Sequence, residues 1–391
     1  MPQPRTHLQR PWPWLGLLVC LALAAWEALR WQATASPAPT AALVAPAAHT
    51  VGKAWQMVDS GDLPQPASAP AAHASHLLTL PANSPYALAA FWFAGERESA
   101  PDVRIAMSLM DRQSLVWHTA QWVVDRHVMG AALGHGLRRL GNPVAWLDAQ
   151  QRIHLFVVAT GLGGWAASRV LHLRQAPHST DLAALQLEVV RVLPLSWLWN
   201  TSHLVRNPPM PLADGGMVLP LHFELRVKYP LFAWFNDQGD FQGLRRISVR
   251  KDVLQPSLLA LTSSHWLALM RTQSMRRRVA VVESFDAGAH WQSHEDLALP
   301  NPDAALAAFQ FAPQSYALIH HPTQQGRQAL VWHSSSDGKN WSQPMMVAQG
   351  PEGSEFSYPA MAWTQDSLWI SYTHQRTHIR WQRWQATDQA R

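Results

Sequence analysis

Apolar residues along this chain come in short beats. From about His73 to the end, apolar or alternating runs recur: YALAAFWFAG, VRIAMSLM, RIHLFVVAT, GMVLPLHFEL, PLFAWFN, HWLALMR, RRVAVVES, YALIHH, QALVWHS and SLWISYT. Each is bounded by Gly, Pro, Asn, Asp or Ser, the residues that end strands and make turns. Two stretches break the beat: Asp181–Val192 fits a strand or a short helix, and Pro302–Phe309 a turn of helix. Many short strands of even length predict an all-β, closed architecture, either a pair of sandwiches or a propeller.

Two octapeptides decide between these. Residues 284–291 read SFDAGAHW and residues 334–341 read SSSDGKNW. Each follows a predicted strand and turns into the next. In such a hairpin the Ser and Asp side chains bond turn amides, Gly takes a backbone conformation that other residues resist, and Trp packs back between sheets. In the second copy Ser336 stands where Asp286 stands in the first. Ser108–Trp117 and Trp165–Arg174 are weaker echoes. The motif resembles the Asp box of sialidase-like β-propellers, where it lies on the rim away from the cleft. The wider chain, from about His73 to Trp384, is similar to the bacterial predicted-neuraminidase (sialidase-like) family with BNR repeats. The resemblance rests on AFWFAGERESAPDVRIAMS (90–108), GNPV (141–144), LVRNPPMPLADGGMVLPLHFE (204–224), LQPSLLAL (254–261), LPNPDAAL (299–306), SYPAMAW (357–363) and SYTHQRTHIR (371–380). It implies a six-bladed propeller over residues 73–391.

The N-terminus is organised differently. Arg5 and Arg10 precede an apolar run, Trp14–Trp26, and Ala33-Thr34-Ala35 offers a small-x-small cleavage site. That is the pattern of an export signal. The run is shorter than the about 20 residues of a comfortable membrane span, although Pro11 and Trp12 could extend it. Residues 1–35 therefore read as a signal peptide or membrane anchor, with residues 12–29 as the inner-membrane attachment if the segment is kept. The body is expected in the periplasm or outside the cell. Residues 36–72, rich in Ala, Pro and Ser, read as a linker.

Composition narrows the chemistry. With 48 % hydrophobic and 15 % charged residues in 391, the chain is globular. Its net charge of +5 includes no dense basic run beyond Arg276-Arg277-Arg278, so no nucleic-acid partner is expected. A single cysteine, Cys20, excludes an intrachain disulfide and a cysteine-based zinc site. The 20 histidines are scattered without a His-Glu-x-x-His pair, and Gly-rich phosphate loops and Gly-x-Ser-x-Gly elbows are absent. Neither a metal site nor a cofactor is expected.

The family resemblance implies a specific site. Sialidases grip a sugar carboxylate with arginine forks, protonate the leaving oxygen with a carboxylic acid, and attack with a tyrosine that a neighbouring carboxylate activates. Arg271 and Arg327 stand before the two octapeptides where cluster arginines are expected. Tyr358, in SYPAMAW, matches the nucleophile, and Asp102, in ERESAPDVRI, the acid. Two positions depart from the pattern. His73-Ala74-Ser75 stands where an Arg-Ile-Pro opens the first blade, which leaves Arg97 to supply that charge. Gln255 stands where the tyrosine's carboxylate is expected, which leaves Glu224 or Glu355 for that task. A glutamine cannot take the proton. The leading expectation is an exported sialidase-like glycosidase acting on a carboxylated sugar of a glycan. A glycan-binding propeller without chemistry, and a polysaccharide lyase using His73 or Tyr358 as base, are the alternatives.

Overall fold

The computed structural model describes residues 12–33, 40–42, 54–196 and 200–387. Six antiparallel sheets of four or five strands follow one another along the chain. Blade 1 holds strands Ala71–Thr79, Tyr86–Gly95, Arg104–Asp111 and Gln121–Val124. Blade 2 holds Arg139–Leu147, Ile153–Thr160, Ser168–Gln175 and Leu187–Val192. In blade 3 the inner strand is split into His203–Val205 and Met210–Pro211, both paired with Met217–Leu225, and Val227–Phe235 and Phe241–Arg246 follow. Blade 4 comprises Val253–Ala260, Trp266–Thr272, Ala280–Ser284 and Gln292–Ser293; blade 5 comprises Ala307–Ala312, Ser315–His320, Ala329–Ser335 and Met345–Gln349. Blade 6 takes Phe356–Thr364, Ser367–His374 and His378–Thr387 from the C-terminus and closes on an N-terminal strand, Ala54–Asp62. The fold is the expected six-bladed, all-β propeller.

That closing strand corrects the expected boundaries. Ala54–Asp62 lies inside the segment read as linker, yet Ala54 pairs with Thr387 and Asp62 with Arg380. Its sequence, AWQMVDSGD, is polar because it is an outer strand with one side in water, so the composition of a tether and of an edge strand look alike. Part of the Ala/Pro-rich stretch is also docked. Ala41 is buried and bridges to Leu212, with its N–H donating to the Ser263 carbonyl at 2.9 Å. Of the signal or anchor segment, Arg5, Arg10 and most of the Ala33-Thr34-Ala35 cleavage site lie outside the described residues, whereas the apolar run Trp14–Trp26 lies within them. Within them, Trp12–Ala33 is a helix, and no described helix is long and apolar enough to cross a membrane.

Most inner and second strands are rich in apolar residues and buried along most of their length, because blades stack face to face and bury both faces. Ile153–Thr160 and Val253–Ala260 are buried at every position. The core accordingly falls into six clusters, one at each seam between neighbouring blades. Neither doubtful stretch became a regular helix. A 3-10 turn, Leu182–Ala184, precedes strand Leu187–Val192, and the linker 300–306 turns through Asp303 at φ 60° before its strand. One helix was not expected: Arg126–Leu133, capped by Asp125, which accepts from the His127 N–H, and by Gly134 at φ 72°.

Both octapeptides join the third and fourth strands of their blades. In the first, Ser284 Oγ donates to Asp286 Oδ1, while Asp286 accepts from the His290 N–H and Ser284 from the Gly288 N–H. In the second, the bonds run one residue later: Ser335 Oγ donates to Asp337 Oδ1, and Asp337 accepts from the Asn340 N–H. Asp337, not Ser336, therefore takes the acidic role, in a turn one residue tighter. Trp291 and Trp341 are half-buried rather than buried. Asp111 makes a related turn with Ser114 in blade 1, whereas Trp165 lies in a loop at the opposite end of blade 2 and belongs to no such turn.

Candidate functional site

The inner strands share a device that shapes the centre. Pairing with the second strand slips between His73 and His76, Gly141 and Val144, Leu254 and Ser257, and Ser357 and Ala360. The first skipped residue in each bulge has positive φ: Ala74 52°, Asn142 37°, Gln255 53° and Tyr358 51°. The second is proline in three of the four. A bulged residue is outside the ladder, so a proline there sacrifices no hydrogen bond. Each bulge turns a side chain out of the pleat at the same end of the propeller. The same dipeptide recurs as Asn207-Pro208, where the inner strand of blade 3 is interrupted, and as Asn301-Pro302, ahead of blade 5.

Charged side chains from the loops at that end form a continuous chain around the mouth. Arg271 Nε donates to Asp303 Oδ1 at 2.7 Å, and Arg327 Nη2 to the Asp303 carbonyl at 3.4 Å. Arg327 Nη1 donates to Glu355 Oε1 at 3.1 Å, and Arg376 Nε to Glu355 Oε2 at 2.7 Å. Arg376 also pairs with Glu98 of blade 1. Blades 4, 5, 6 and 1 are thus linked by alternating charge. Burial works against the charge of Glu355, but the bonds from Arg376 and Ser357 and the charge of Arg327 outweigh it and hold its pKa down to about 2. Burial disfavours the cation of Arg271 too; Tyr358 and Asp303 more than compensate.

Tyr358 stands inside this ring. His73 packs against it at 4.5 Å between ring centroids, and the Arg206 guanidinium lies 5.2 Å from its ring centre. Arg206 is 2 % exposed and has no carboxylate partner among the described residues. It reaches from blade 3 across the axis, donating to the Pro359 carbonyl at 2.7 Å and the Ser75 carbonyl at 3.4 Å. Burial lowers its pKa to about 10, against the opposing pull of Tyr358. His73 is neutral: burial, reinforced by Arg376, takes it down to about 3, and neither ring nitrogen has a hydrogen-bond partner among the described residues.

The expected residues divide accordingly. Arg271, Arg327, Glu355, Tyr358 and His73 meet at the mouth. Gln255 joins them through Oε1, which accepts from Arg271 Nη1 at 3.4 Å. Glu224 flanks Arg271 from blade 3; burial raises its pKa, but His222 at 3.5 Å, Arg271 and Lys228 prevail and hold it at about 2. Neither Glu224 nor Glu355 bonds the Tyr358 hydroxyl. Arg97 is exposed and borders a shallow recess with His73 and Arg376. Asp102 is turned into its own loop, where Oδ2 accepts from the Glu96 N–H at 2.7 Å, and it has no contact with the arginines. The sequence reading passed over Arg206, Asp303 and Arg376. The signal for the first was the repeated Asn-Pro, Gln-Pro and Tyr-Pro, which puts Arg206 next to a central position. Among the described residues, no group of three or more His, Cys, Asp or Glu is placed to hold a metal ion.

Comparison with known proteins agrees with this architecture. The Hadza microbial sialidase Hz136 superposes with a TM-score of 0.64 at 16 % identity, over 81 % of this chain and 66 % of its own. A protein of unknown function from Dyadobacter fermentans gives 0.65 at 10 % identity, over 85 % and 99 %. Trypanosoma rangeli sialidase in complex with sialic acid gives 0.61 at 11 % identity, over 88 % and 60 %. The chain thus spans two thirds or less of these sialidases' lengths. No curated protein matches it in sequence. The profile of the BNR repeat-like domain matches residues 86–372, the greater part of the propeller, and the chain belongs to that sialidase-like BNR-repeat family.

Proposed function

We propose that the protein is an exported glycosidase of sialidase type that removes a carboxylated sugar from a glycan. The observation that carries this is the ring of Arg271, Arg327 and Arg376 around Tyr358. In the proposed reaction the sugar carboxylate exchanges places with Asp303 and Glu355 on the arginine forks. The Tyr358 oxygen attacks the anomeric carbon, and the aglycone oxygen leaves with a proton from Asp102, whose loop must turn inward to deliver it. Water then releases the sugar from the tyrosine. No carboxylate bonds the phenol, so its own proton leaves to solvent. Arg206, Arg271 and Arg376 offset the charge that the oxygen then carries.

Gln255 favours a second reading, a binder of acidic sugars. It occupies the position of the tyrosine's carboxylate and holds Arg271 instead. Release of fluorophore from umbelliferyl sialosides and uronides separates the two. In an enzyme, Tyr358→Phe abolishes turnover and leaves affinity nearly intact. Binding of the sugars without any release supports the binder, and absence of both rejects the acidic-sugar site. Export is proposed from Arg5, Arg10 and the apolar run Trp14–Trp26; recovery of the unprocessed chain in the soluble cytoplasmic fraction would refute it.

A further inference from the structure

The mouth is electrically lopsided. Blade 1 brings to it the loop 96–103, with Glu96, Glu98 and Asp102 against one arginine, Arg97. On the far side, the loop joining Trp266–Thr272 to Ala280–Ser284 in blade 4 carries Arg276, Arg277 and Arg278, all exposed. None of the three has a carboxylate partner among the described residues. The loop is fixed in place: the Asn301 N–H donates to the Arg277 carbonyl at 2.8 Å, and Arg278 bridges to Pro300. It is also joined to the site, since Gln273 Nε2 donates to Asp303 Oδ2, the carboxylate that holds Arg271. Alongside, Lys251 is exposed in the link from blade 3, where its carbonyl accepts from the Lys228 N–H at 3.0 Å.

Unpaired arginines held on a rigid loop repel one another and attract anions from solution. Structural need accounts for little of their side chains: apart from Arg277 Nη1, which donates to the Gln324 carbonyl at 3.5 Å, the bonds that fix the loop are made mainly by its backbone. Their position beside the arginine ring gives them a consistent task. From this geometry we infer that the loop 273–279, with Lys251, is a binding ridge for the remainder of a polyanionic glycan whose terminal carboxylated sugar occupies the ring. This rests on the acidic-sugar reading and extends it. The preferred substrate is an acidic polysaccharide, not a neutral glycan with one acidic cap, and it runs from the centre over blades 4 and 3, away from the carboxylates of blade 1.

The test uses Tyr358→Phe protein, titrated with a monomeric sialoside, an α2,8-linked sialic acid pentamer and a galacturonate pentamer. The ridge requires one pentamer to bind about tenfold or more tighter than the corresponding monomer at low salt, because added contacts act within one complex. That advantage should shrink on going from about 20 to about 200 mM salt, as exposed charges are screened. Arg276→Ala, Arg277→Ala and Arg278→Ala combined should erase the advantage and leave monomer affinity unchanged, which also shows the site is still folded. Lys251→Ala should reduce it by a smaller factor. Pentamers no tighter than monomers, or an advantage that survives the triple change, overturn the ridge alone. Monomers that bind but ignore Arg271→Ala overturn the site reading instead. Arginine-dependent binding of phosphatidylserine vesicles or of a single-stranded oligonucleotide in preference to both pentamers would show that the ridge serves another partner.

Discussion

At the scale of the residue, the site depends on guanidinium groups in three states of compensation. Arg271, Arg327 and Arg376 are balanced by Asp303, Glu355 and Glu98. Arg206 is buried against the Ser75 and Pro359 carbonyls and the Tyr358 ring, with no carboxylate partner among the described residues, and the arginines of the blade 4 loop are exposed without a carboxylate partner among the described residues. Each should respond differently to substitution. Arg271→Ala removes one arm of the carboxylate grip and should weaken acidic-sugar binding by about 2–4 kcal/mol, much of it from leaving charge unpaired. Lysine should restore only part, since it presents a point charge where a planar fork is needed. Isothermal titration of the two variants checks the order; equal affinity of Arg271→Ala and the parent would remove Arg271 from the site. Arg206→Met should behave otherwise. A buried cation without an anion is expensive, so an apolar side chain of similar length should leave thermal stability level or higher. It should lower turnover while leaving KM nearly unchanged, because the charge is met by Tyr358 and not by substrate.

At the scale of the element, the inner strand of each blade is laced to a neighbouring blade at every seam. His76 Nε2 meets the Ala145 carbonyl, Asn142 Nδ2 donates to Val205, Asn207 Nδ2 to Gln255, and Ser257 Oγ to Ala308. The Phe356 N–H donates to Arg327 and the Ala74 N–H to Thr373 Oγ1, completing the circuit. The octapeptide turns lie at the other end of the blades, so damage there should reduce stability without touching the mouth. Gly288 has φ 77°, and a Cβ would come 2.7 Å from Trp266. Gly288→Ala should therefore destabilise by more than Asp286→Ala, which loses turn bonds worth about 1–2 kcal/mol. Both variants, once folded, should bind sugar as the parent does; a denaturant melt and a titration on each decide this. These turns show why so much of the fold was legible. Ser, Asp, Gly and Trp at fixed spacing bond within a few residues, so their geometry follows from local sequence. The strand Ala54–Asp62 was not legible, because its partner lies more than three hundred residues away and nothing local distinguishes an edge strand from a linker. The site was legible to the same limit. Tyr358 stands out by its own segment and Arg271 and Arg327 by their spacing ahead of the octapeptides, whereas Arg206 and Asp303, although inside segments of the family resemblance, make their contacts only when radial closure brings distant blades together.

At the scale of the whole molecule, two properties follow from the closed ring. The first is acid sensitivity. Burial foremost lowers the pKa of His76 and His321 to about 3 and of His203 and His320 to about 4, from 6.5. Between those values the unfolded chain binds protons that the folded chain refuses, so stability is full above about pH 6.5 and declines below it. Below 4.5 the depressed carboxylates Glu224 and Glu355 add to the loss. Melting temperature measured from pH 8 to 4 should hold level and then fall from about 6.5; a flat profile to pH 5 would show that these histidines are not buried as described. The second concerns closure. Trp55 carries the N-terminal strand into the seam of blades 5 and 6, where its ring lies 5.1 Å from Trp332 and 5.5 Å from Phe311. Trp55→Ala should cost about 3 kcal/mol or more and loosen the sheet 356–387 first, visible as faster amide exchange there than in blade 2. The N-terminus has one further effect. Thr40–Ala42 is stitched to Pro211, Ala213 and Ser263, on the face opposite the arginine ring. Whatever holds the preceding residues, whether a bead, a fusion partner or a cell envelope, therefore grips the molecule from behind and leaves its open face turned toward the surrounding medium.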